Sequence, residues 1–402
     1  MSIFNKSPLR SVADADIQRF KKQATELGKA SFALAWVMDT GSEERERGVT
    51  VDIAQHHFST EKVDFTILDA PGHRDFVPNM IGGASMADLA VLVVDANQLD
   101  SGMKGQTREH ILLAKACGLR KIIVAVNKLD STTPTWDQSV FDNVKTDVSK
   151  FLASAGFVQD SVAFIPCSGL NGENVVKPAP SKGDIGWVAR TPRTLLQELE
   201  SSTPDDVLDA TVKAPLRVQI SDVFRGSITN PLSVSGRITS GNVQTGDITI
   251  IQPSGEAATI KAIEANNESR DWAVAGQLTT LHLTEIDPQH IRAGDILCSA
   301  DKPVEVVKNL IAQVVALESI LPQGVDLHIG RLHVPSNVAA LISIVDAKGE
   351  VLKKKPRVVK AGQRANVKLL LDTGAPLETD DRIILRAGGS TIAAGKVERV
   401  GS

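Results

Sequence analysis

The chain has 402 residues, of which 42% are apolar and 23% charged, and it carries a formal net charge of −4. This length predicts two to four domains, and the acidic balance argues against a protein that coats nucleic acid through charge alone. The absence of tyrosine argues against an aromatic surface that stacks on single-stranded nucleic acid. The three cysteines are far apart, and the sequence has no signal peptide and no apolar run of 18 residues, which together predict a cytoplasmic protein.

The first half of the chain alternates short apolar strands with amphipathic helices. Strands are predicted at residues 63–68, 89–94, 122–126 and 161–166, and helices at residues 106–117, 137–155 and 194–199. This alternation predicts a parallel, doubly wound α/β sheet. Residues 169–190 are rich in Gly, Pro, Asn and Lys, so we expect them to form a loop.

The pattern changes near residues 201–206. From there to the end of the chain, short strands rich in Val, Ile and Thr alternate with glycine-containing turns. This pattern predicts an all-β region, and its length suits two β-barrels. We therefore expect an α/β domain at residues 1–205 and barrels at residues 210–300 and 303–402.

Asn127, Lys128, Leu129 and Asp130 follow the apolar run at residues 122–126. An aspartate in the last place of Asn-Lys-x-Asp can accept hydrogen bonds from both N–H groups of guanine, whereas adenine would leave it unpaired. Lys128 is expected to lie along the base and ribose, and Asn127 to tie the neighbouring loops together. The pattern predicts a guanine-binding loop.

Asp69, Ala70, Pro71, Gly72 and His73 end an earlier apolar run. Asp69 is expected to hold Mg²⁺ through a water, and Gly72 to offer its amide to the γ-phosphate of GTP. His73 is expected to orient the attacking water. Taken alone the segment is also consistent with a strand and a turn, but together with the guanine loop it predicts a GTPase core.

Arg45, Glu46, Arg47, Gly48, Val49 and Thr50 precede this segment at the distance of a first switch. Thr50 is expected to bind Mg²⁺ through its hydroxyl only while GTP is present, and loss of the phosphate would release the loop. The alternative is a solvated run of charges that enters a strand.

Ser168, Gly169 and Leu170 follow the strand predicted at residues 161–166. Their backbone amides and the Ser168 hydroxyl are expected to support the guanine ring and its O6 atom. The alternative is a simple turn from a strand to a helix.

Two groups of residues in the all-β region have weaker signals. The basic cluster at residues 353–357, Lys-Lys-Lys-Pro-Arg, favours a solvated hairpin turn, with a contact to a phosphate or an acidic partner as the alternative. His282, His290, His328 and His333 lack the spacing of metal ligands, so we expect packing or surface roles.

Residues 31–39, 43–52 and 69–76 resemble the elongation factor 1-alpha group of translational GTPases. Residues 386–395, Arg-Ala-Gly-Gly-Ser-Thr-Ile-Ala-Ala-Gly, and residues 31–36 resemble the Hbs-type ribosome-rescue GTPases within that group. The resemblance implies a GTPase domain and two barrels, GTP or GDP and Mg²⁺ as ligands, and action with Pelota on stalled ribosomes and in mRNA surveillance. It also implies contacts with ribosomal RNA and protein, no membrane, and a monomer outside the complex.

The Gly-x-x-x-x-Gly-Lys-Ser/Thr phosphate loop of this group does not occur in the sequence. Residues 1–10 stand where the group has its first strand and that loop, so the GTPase domain is expected to be N-terminally incomplete, with unpaired strand edges and an open groove. An incomplete translation, a short product and a degenerate paralogue are the alternatives. Two other functions stay open, a non-hydrolysing adaptor and the delivery of aminoacyl-tRNA by an elongation factor 1-alpha.

Overall fold

The computed structural model describes residues 53–71, 76–98, 106–180, 183–191, 193–202, 209–224, 232–266 and 268–401. The chain divides into two compact units, residues 1–204 and residues 205–402.

The first unit contains five strands and four helices among its described residues. The strands are β1 (Ala54–Ser59), β2 (Asp64–Asp69), β3 (Leu89–Asp95), β4 (Lys121–Asn127) and β5 (Val162–Pro166). The helices are α1 (Val77–Met86), α2 (Gln106–Ala116), α3 (Gln138–Ser154) and α4 (Leu195–Ser201), with 3-10 turns at Leu129–Ser131, Gln159–Ser161 and Asp184–Arg190.

Strands β3, β4 and β5 form a parallel sheet with β4 in the centre, as the sequence predicts. The side chains of residues 122–126 in β4 are at most 1% exposed, which is why this strand is one continuous apolar run. Helix α3 covers one face of the sheet through Phe141, Val144, Val148 and Leu152. Helix α4 covers the other face through Leu195 and Leu199.

Strands β1 and β2 pair with each other as an antiparallel hairpin. Within the described residues, β2 pairs with β1 alone and β3 pairs with β4 alone, so the hairpin and the parallel sheet are separate. Their packing is nevertheless shared, because Phe65 of β2 lies against the same apolar cluster as Leu89 and Val91 of β3.

The second unit begins with a short helix, α5 (Asp209–Lys213), and is otherwise built from strands. The first set is β6 (Arg217–Phe224), β7 (Leu232–Ser240), β8 (Asn242–Gln244), β9 (Ile248–Gln252), β10 (Glu256–Ala265), β11 (Glu268–Arg270), β12 (Trp272–Val274), β13 (Leu278–Thr284) and β14 (Ile296–Ser299), with a 3-10 turn at Pro288–His290. The second set is β15 (Val306–Ala316), β16 (Gly324–Ile329), β17 (Leu332–Val345), β18 (Val351–Lys354), β19 (Arg364–Pro376), β20 (Arg382–Ala387) and β21 (Ser390–Gly401).

Both sets close into six-stranded antiparallel barrels, which confirms the predicted fold class. The first barrel runs β10-β13-β7-β6-β14-β9 and closes through the pairing of β9 with β10. The second runs β16-β20-β21-β15-β19-β17 and closes through β16 and β17. Strands β11 and β18 are added at one side of each barrel, and each barrel encloses its own apolar cluster.

An ion pair joins the two barrels. Arg217 of β6 donates from Nε and Nη2 to the two carboxylate oxygens of Glu378, at 2.9 and 2.8 Å. Its Nη1 donates to the carbonyl oxygen of Lys302, at 3.0 Å. A side chain added at Gly294, whose φ is +97°, would meet the backbone of Leu332 at 2.8 Å, so the barrels approach each other closely there.

Three differences from the predicted elements stand out. The sequence does not predict strand β1, which has no β-branched residue. It does not predict helix α1 either, because the pair Gly82-Gly83 disfavours a helix. The expected loop at residues 169–190 contains the 3-10 turn Asp184–Arg190.

The structure shows where the basic cluster and the histidines of the all-β region lie. Lys353 and Lys354 are exposed, as expected for a solvated cluster, but they lie in the outer strand β18 and not in a hairpin turn. His282 and His328 are buried, and His333 is exposed and stacks on His328.

Candidate functional site

The predicted guanine-binding residues lie in loops at one edge of the parallel sheet. Asp95 and Asn127 end β3 and β4 and stand directly opposite each other in the register. Pro166 ends β5 beside Val126. The carboxyl ends of parallel strands meet at one edge of such a sheet, which is where open α/β sheets bind their ligands.

Asn127 is buried and joins all three loops. Its side-chain Oδ1 accepts a hydrogen bond of 2.8 Å from the amide of Gly169, in the loop after β5. Its backbone carbonyl accepts one of 3.0 Å from the amide of Ala96, in the loop after β3.

The Lys128 side chain is exposed, and hydrogen bonds hold both its ammonium group and its backbone carbonyl. Its ammonium group lies 2.7 Å from the Asp95 carboxylate. Burial raises the pKa of Asp95, but the hydrogen bonds from Lys128 and from the Asn97 amide outweigh burial and leave that pKa below its ordinary value. The Lys128 carbonyl accepts from the amide and the hydroxyl of Ser131.

Asp130 is half-buried beside the loop that follows β5. Its Oδ2 lies 3.5 Å from Nδ2 of Asn171, which also points at Glu173. Ser168 is fully buried, and its hydroxyl accepts a hydrogen bond of 3.1 Å from the amide of Asn171. Leu170, between them, is 59% exposed and is therefore available to a ligand.

The predicted phosphate and magnesium residues are described only in part. Asp69 is the last residue of β2, is half-buried and lies opposite Ala54. Thr50, Gly72 and His73 lie outside the described residues.

Three polar residues at this edge were not identified from the sequence, namely Asp95, Asn97 and Asn171. The sequence could have indicated Asp95 and Asn97, because they come at the end of the apolar strand β3, at the sheet edge where Asn127 also lies. Asn171 carries no such signal, since its proximity to Asp130 depends on how two loops fold.

The described residues contain no cluster of three or more His, Cys, Asp or Glu side chains that could bind a metal ion. Mg²⁺ does not need one, because it usually keeps several waters and binds one or two carboxylates together with phosphate oxygens. A single carboxylate at Asp69 fits that requirement. Cys167, beside the site, is not a nucleophile, because burial raises the pKa of its thiol to about 12.

No helix in the described part of the chain is long and apolar enough to cross a membrane.

A parallel α/β sheet with Asn-Lys-x-Asp and Ser-Gly-Leu loops at one edge, followed by two six-stranded barrels, defines a translational GTPase. Residues 10–214 match the family model "Elongation factor Tu GTP binding domain", residues 233–298 match "Elongation factor Tu domain 2", and residues 303–401 match "Elongation factor Tu C-terminal domain".

Relatives give the same family, and a solved structure shows the same fold. Elongation factor 1-alpha of Thermoplasma acidophilum is 38% identical over 94% of this chain and 89% of its own length. Protein HBS1 of Drosophila melanogaster is 35% identical over 97% of this chain, which spans 59% of that protein. The fold is also that of elongation factor SelB from Methanococcus maripaludis bound to the GTP analogue GppNHp, with a TM-score of 0.68 at 21% identity, covering 96% of this chain and 77% of that one.

The chain therefore belongs to the elongation factor Tu and 1-alpha family of translational GTPases, which hydrolyse GTP and act on the ribosome.

Proposed function

We propose that this chain is a GTP-binding translation factor that acts with a Pelota-type, release-factor-like protein in the rescue of stalled ribosomes and in mRNA surveillance. The observation that carries the proposal is the Hbs-type sequence of residues 386–395, at the turn between β20 and β21. Similarity to protein HBS1 over 97% of the chain supports it.

In this proposal Asp130 reads guanine by accepting hydrogen bonds from its N1–H and its exocyclic amine. Lys128 lies along the base and ribose, and Leu170 supports the ring and O6. Ser168 and Gly169 are buried and act by holding that loop in place, through hydrogen bonds with the Asn171 amide and with Asn127 Oδ1. The position of these residues in adjoining loops supports these roles, because Asn127 bonds directly to the Gly169 amide.

Asp69 and Thr50 are proposed to hold Mg²⁺, which would neutralise charge on the β- and γ-phosphates. Gly72 is proposed to bind the γ-phosphate through its amide, and His73 to orient the attacking water. The position of Asp69 at the end of β2 supports the first of these roles.

A second function is favoured by a different observation. Several relatives at 36–38% identity are archaeal elongation factors 1-alpha, and the chain covers about nine-tenths of their length. On that basis the chain would deliver aminoacyl-tRNA to the ribosome. The two functions differ in the partner bound in the GTP state.

A competition experiment separates them. The purified chain is immobilised with GppNHp and offered a Pelota-type protein and aminoacyl-tRNA, each alone and then together. We expect the protein to bind and the tRNA not to compete with it. Binding of aminoacyl-tRNA alone would favour the elongation-factor function, and binding of neither by a chain shown to hold GppNHp would reject both.

The fragment 209–402 is the matched control. We expect it to bind the Pelota-type protein more weakly than the whole chain, because the switch around Thr50 would supply part of the contact. A well-folded fragment with no binding would place the contact on the first unit.

A further inference from the structure

Two polar side chains have no role in the proposed function, Asp95 at the end of β3 and Asn97 in the loop that follows it. We propose that they are positioning residues that hold Lys128 in the conformation in which its side chain lies along the guanine base. The inference rests on the proposed function, because it concerns the same guanine site.

Among the described residues, Asp95 is the partner that holds the ammonium group of Lys128. Its Nζ lies 2.7 Å from Oδ2 of Asp95, while the Lys128 side chain is 58% exposed. A lysine with that exposure would otherwise sample many rotamers, because its four-carbon stem is flexible. The Asp95 carboxylate is itself fixed, because its Oδ1 accepts a hydrogen bond of 3.0 Å from the Asn97 amide.

The backbone of Lys128 is held by the same loop. Its φ is 66°, in the left-handed region that side chains other than glycine rarely occupy. Nδ2 of Asn97 donates to the Lys128 carbonyl at 3.4 Å and to the Ser131 hydroxyl at 3.1 Å. The same hydroxyl donates to the Lys128 carbonyl at 2.9 Å. Asn97 therefore supports the conformation that aims the side chain.

The position of Asp95 and Asn97 follows from the sheet. Asp95 and Asn127 share one register position in the parallel pair of β3 and β4. The residue after Asp95 bonds to Asn127, from the Ala96 amide to the Asn127 carbonyl at 3.0 Å. Any movement of the loop after β3 would therefore displace the guanine-reading loop with it.

The contact between Asp95 and Lys128 is poorly suited to stabilising the fold. An ion pair with an exposed lysine contributes little to folding, since water and salt screen it. Loss of the Asp95 charge should therefore change ligand binding far more than it changes the melting temperature. The lowered pKa of Asp95 keeps the carboxylate charged at neutral pH, so the effect should not depend on pH between 6 and 8.

The test is a double-mutant cycle on the full 402-residue chain. The affinity for N-methylanthraniloyl-GDP is measured by fluorescence for the parent, Asp95→Asn, Lys128→Ala and the double variant. We expect Asp95→Asn to weaken binding about tenfold, which is a typical coupling between contacting side chains. In the Lys128→Ala background the same change should have no further effect.

Two further variants complete the experiment. Asp160→Asn removes an exposed carboxylate of the same unit, away from the guanine-reading loops, and should leave affinity unchanged. Asp95→Glu keeps the charge and should recover part of the lost affinity. If Asp95→Asn does not fold, the nucleotide affinity of Asp95→Glu and Asn97→Ala is measured instead, because each variant disturbs one of the two contacts to Lys128. Both should bind more weakly than the parent, and unchanged affinity of both would overturn the positioning role.

Different results bear on the positioning role of Asp95 and on the guanine site itself. Equal affinity of Asp95→Asn and the parent, or additive effects of the two substitutions, would overturn the positioning role and leave the guanine site intact. A parent chain that binds N-methylanthraniloyl-GDP no better than N-methylanthraniloyl-ADP would overturn the guanine site, and the positioning role with it.

Discussion

Asp130 is the residue on which guanine selectivity would depend. Asp130 and Asn127 follow directly from the motif Asn-Lys-x-Asp, in which the aspartate reads guanine and the asparagine ties the neighbouring loops together. No motif of fixed spacing includes Asp95, Asn97 or Asn171; the first two are marked only by their place after the apolar strand β3, and Asn171 depends on how two distant loops fold. Asn171 is 41 residues from Asp130 along the chain, yet lies within hydrogen-bond reach of it.

We predict that Asp130→Asn lowers the affinity for GDP and raises that for XDP. An amide cannot accept from both guanine N–H groups, and each lost hydrogen bond to a charged group costs ~1.5–3 kcal/mol. Titration with both nucleotides measures the change, and Asp142→Asn, an exposed carboxylate on α3, is the control. An unchanged preference for GDP would remove Asp130 from guanine recognition.

Strand β4 and helix α3 show which elements a sequence can predict. The uninterrupted apolar run of β4 requires burial on both faces, and α3 has apolar residues at helical spacing between Asp137, which caps its first turn, and Gly156, whose φ is +87°. Strand β1 has no such pattern, and its conformation depends on pairing with β2. Local sequence therefore predicts β4 from its burial on both faces and α3 from its apolar spacing and its capped ends, whereas β1 offers neither pattern.

Gly395 of β21 is a position where one strand depends on the absence of a side chain. A Cβ atom there would lie 1.9 Å from the carbonyl oxygen of Gln313 in β15. We predict that Gly395→Ala destabilises the second barrel by about 1–3 kcal/mol, as overpacking of a filled core does.

Urea unfolding of the whole chain measures that loss. Gly324→Ala is the matched control, because Gly324 lies in β16 of the same barrel and an added Cβ would have only Asn337 Oδ1 nearby, at 3.8 Å. Equal stability of the two variants would show that β15 and β21 can separate to admit the methyl group.

Asp381 lies between β19 and β20, beside the ion pair that joins the two barrels, and the fold raises its affinity for a proton. Burial raises the pKa of Asp381 to about 6, although the Glu378 amide and Arg217 lower it. A free aspartate titrates near ~3.9, so the folded state binds this proton more tightly than the unfolded chain does. The resulting stability is complete below pH 4 and is lost as the pH rises through about 6.

We predict that Asp381→Asn removes this pH dependence, since an amide can still accept the hydrogen bond from the Glu378 amide. Between pH 5 and 7.5 the parent should lose about 1 kcal/mol of unfolding free energy relative to the variant. Unfolding in urea at both pH values tests this. Parallel pH profiles would show that Asp381 is ionised in the folded protein below pH 5.

For the whole molecule, composition and turn pattern predicted an α/β domain and two barrels but not the order of the strands. The antiparallel neighbours of β6, for example, are β7 and β14, and nothing in those sequences specifies the second pairing. Barrel closure depends on which apolar faces remain to be buried once the adjacent hairpins have formed, so it is a property of the complete domain.

The second unit should fold without the first. Helix α5 belongs to its first barrel, since the Gly241 amide donates to the Thr211 carbonyl and Val212 packs on the barrel core. We predict that the fragment 209–402 unfolds in one cooperative transition by calorimetry. A fragment that starts at residue 214 lacks those contacts and should melt at a lower temperature, and equal melting would show that α5 contributes nothing.

The pairing of β6 with β14 also sets the order in which this unit can form during synthesis. Cys298 lies opposite Arg217, 81 residues later in the chain (298 − 217). At ~5–20 residues per second, β14 leaves the ribosome about 4–16 s after β6. Until β14 emerges, the edge of β6 that pairs with it has no partner strand. An unpaired strand edge can pair with another chain, so the incomplete first barrel is prone to aggregation during synthesis.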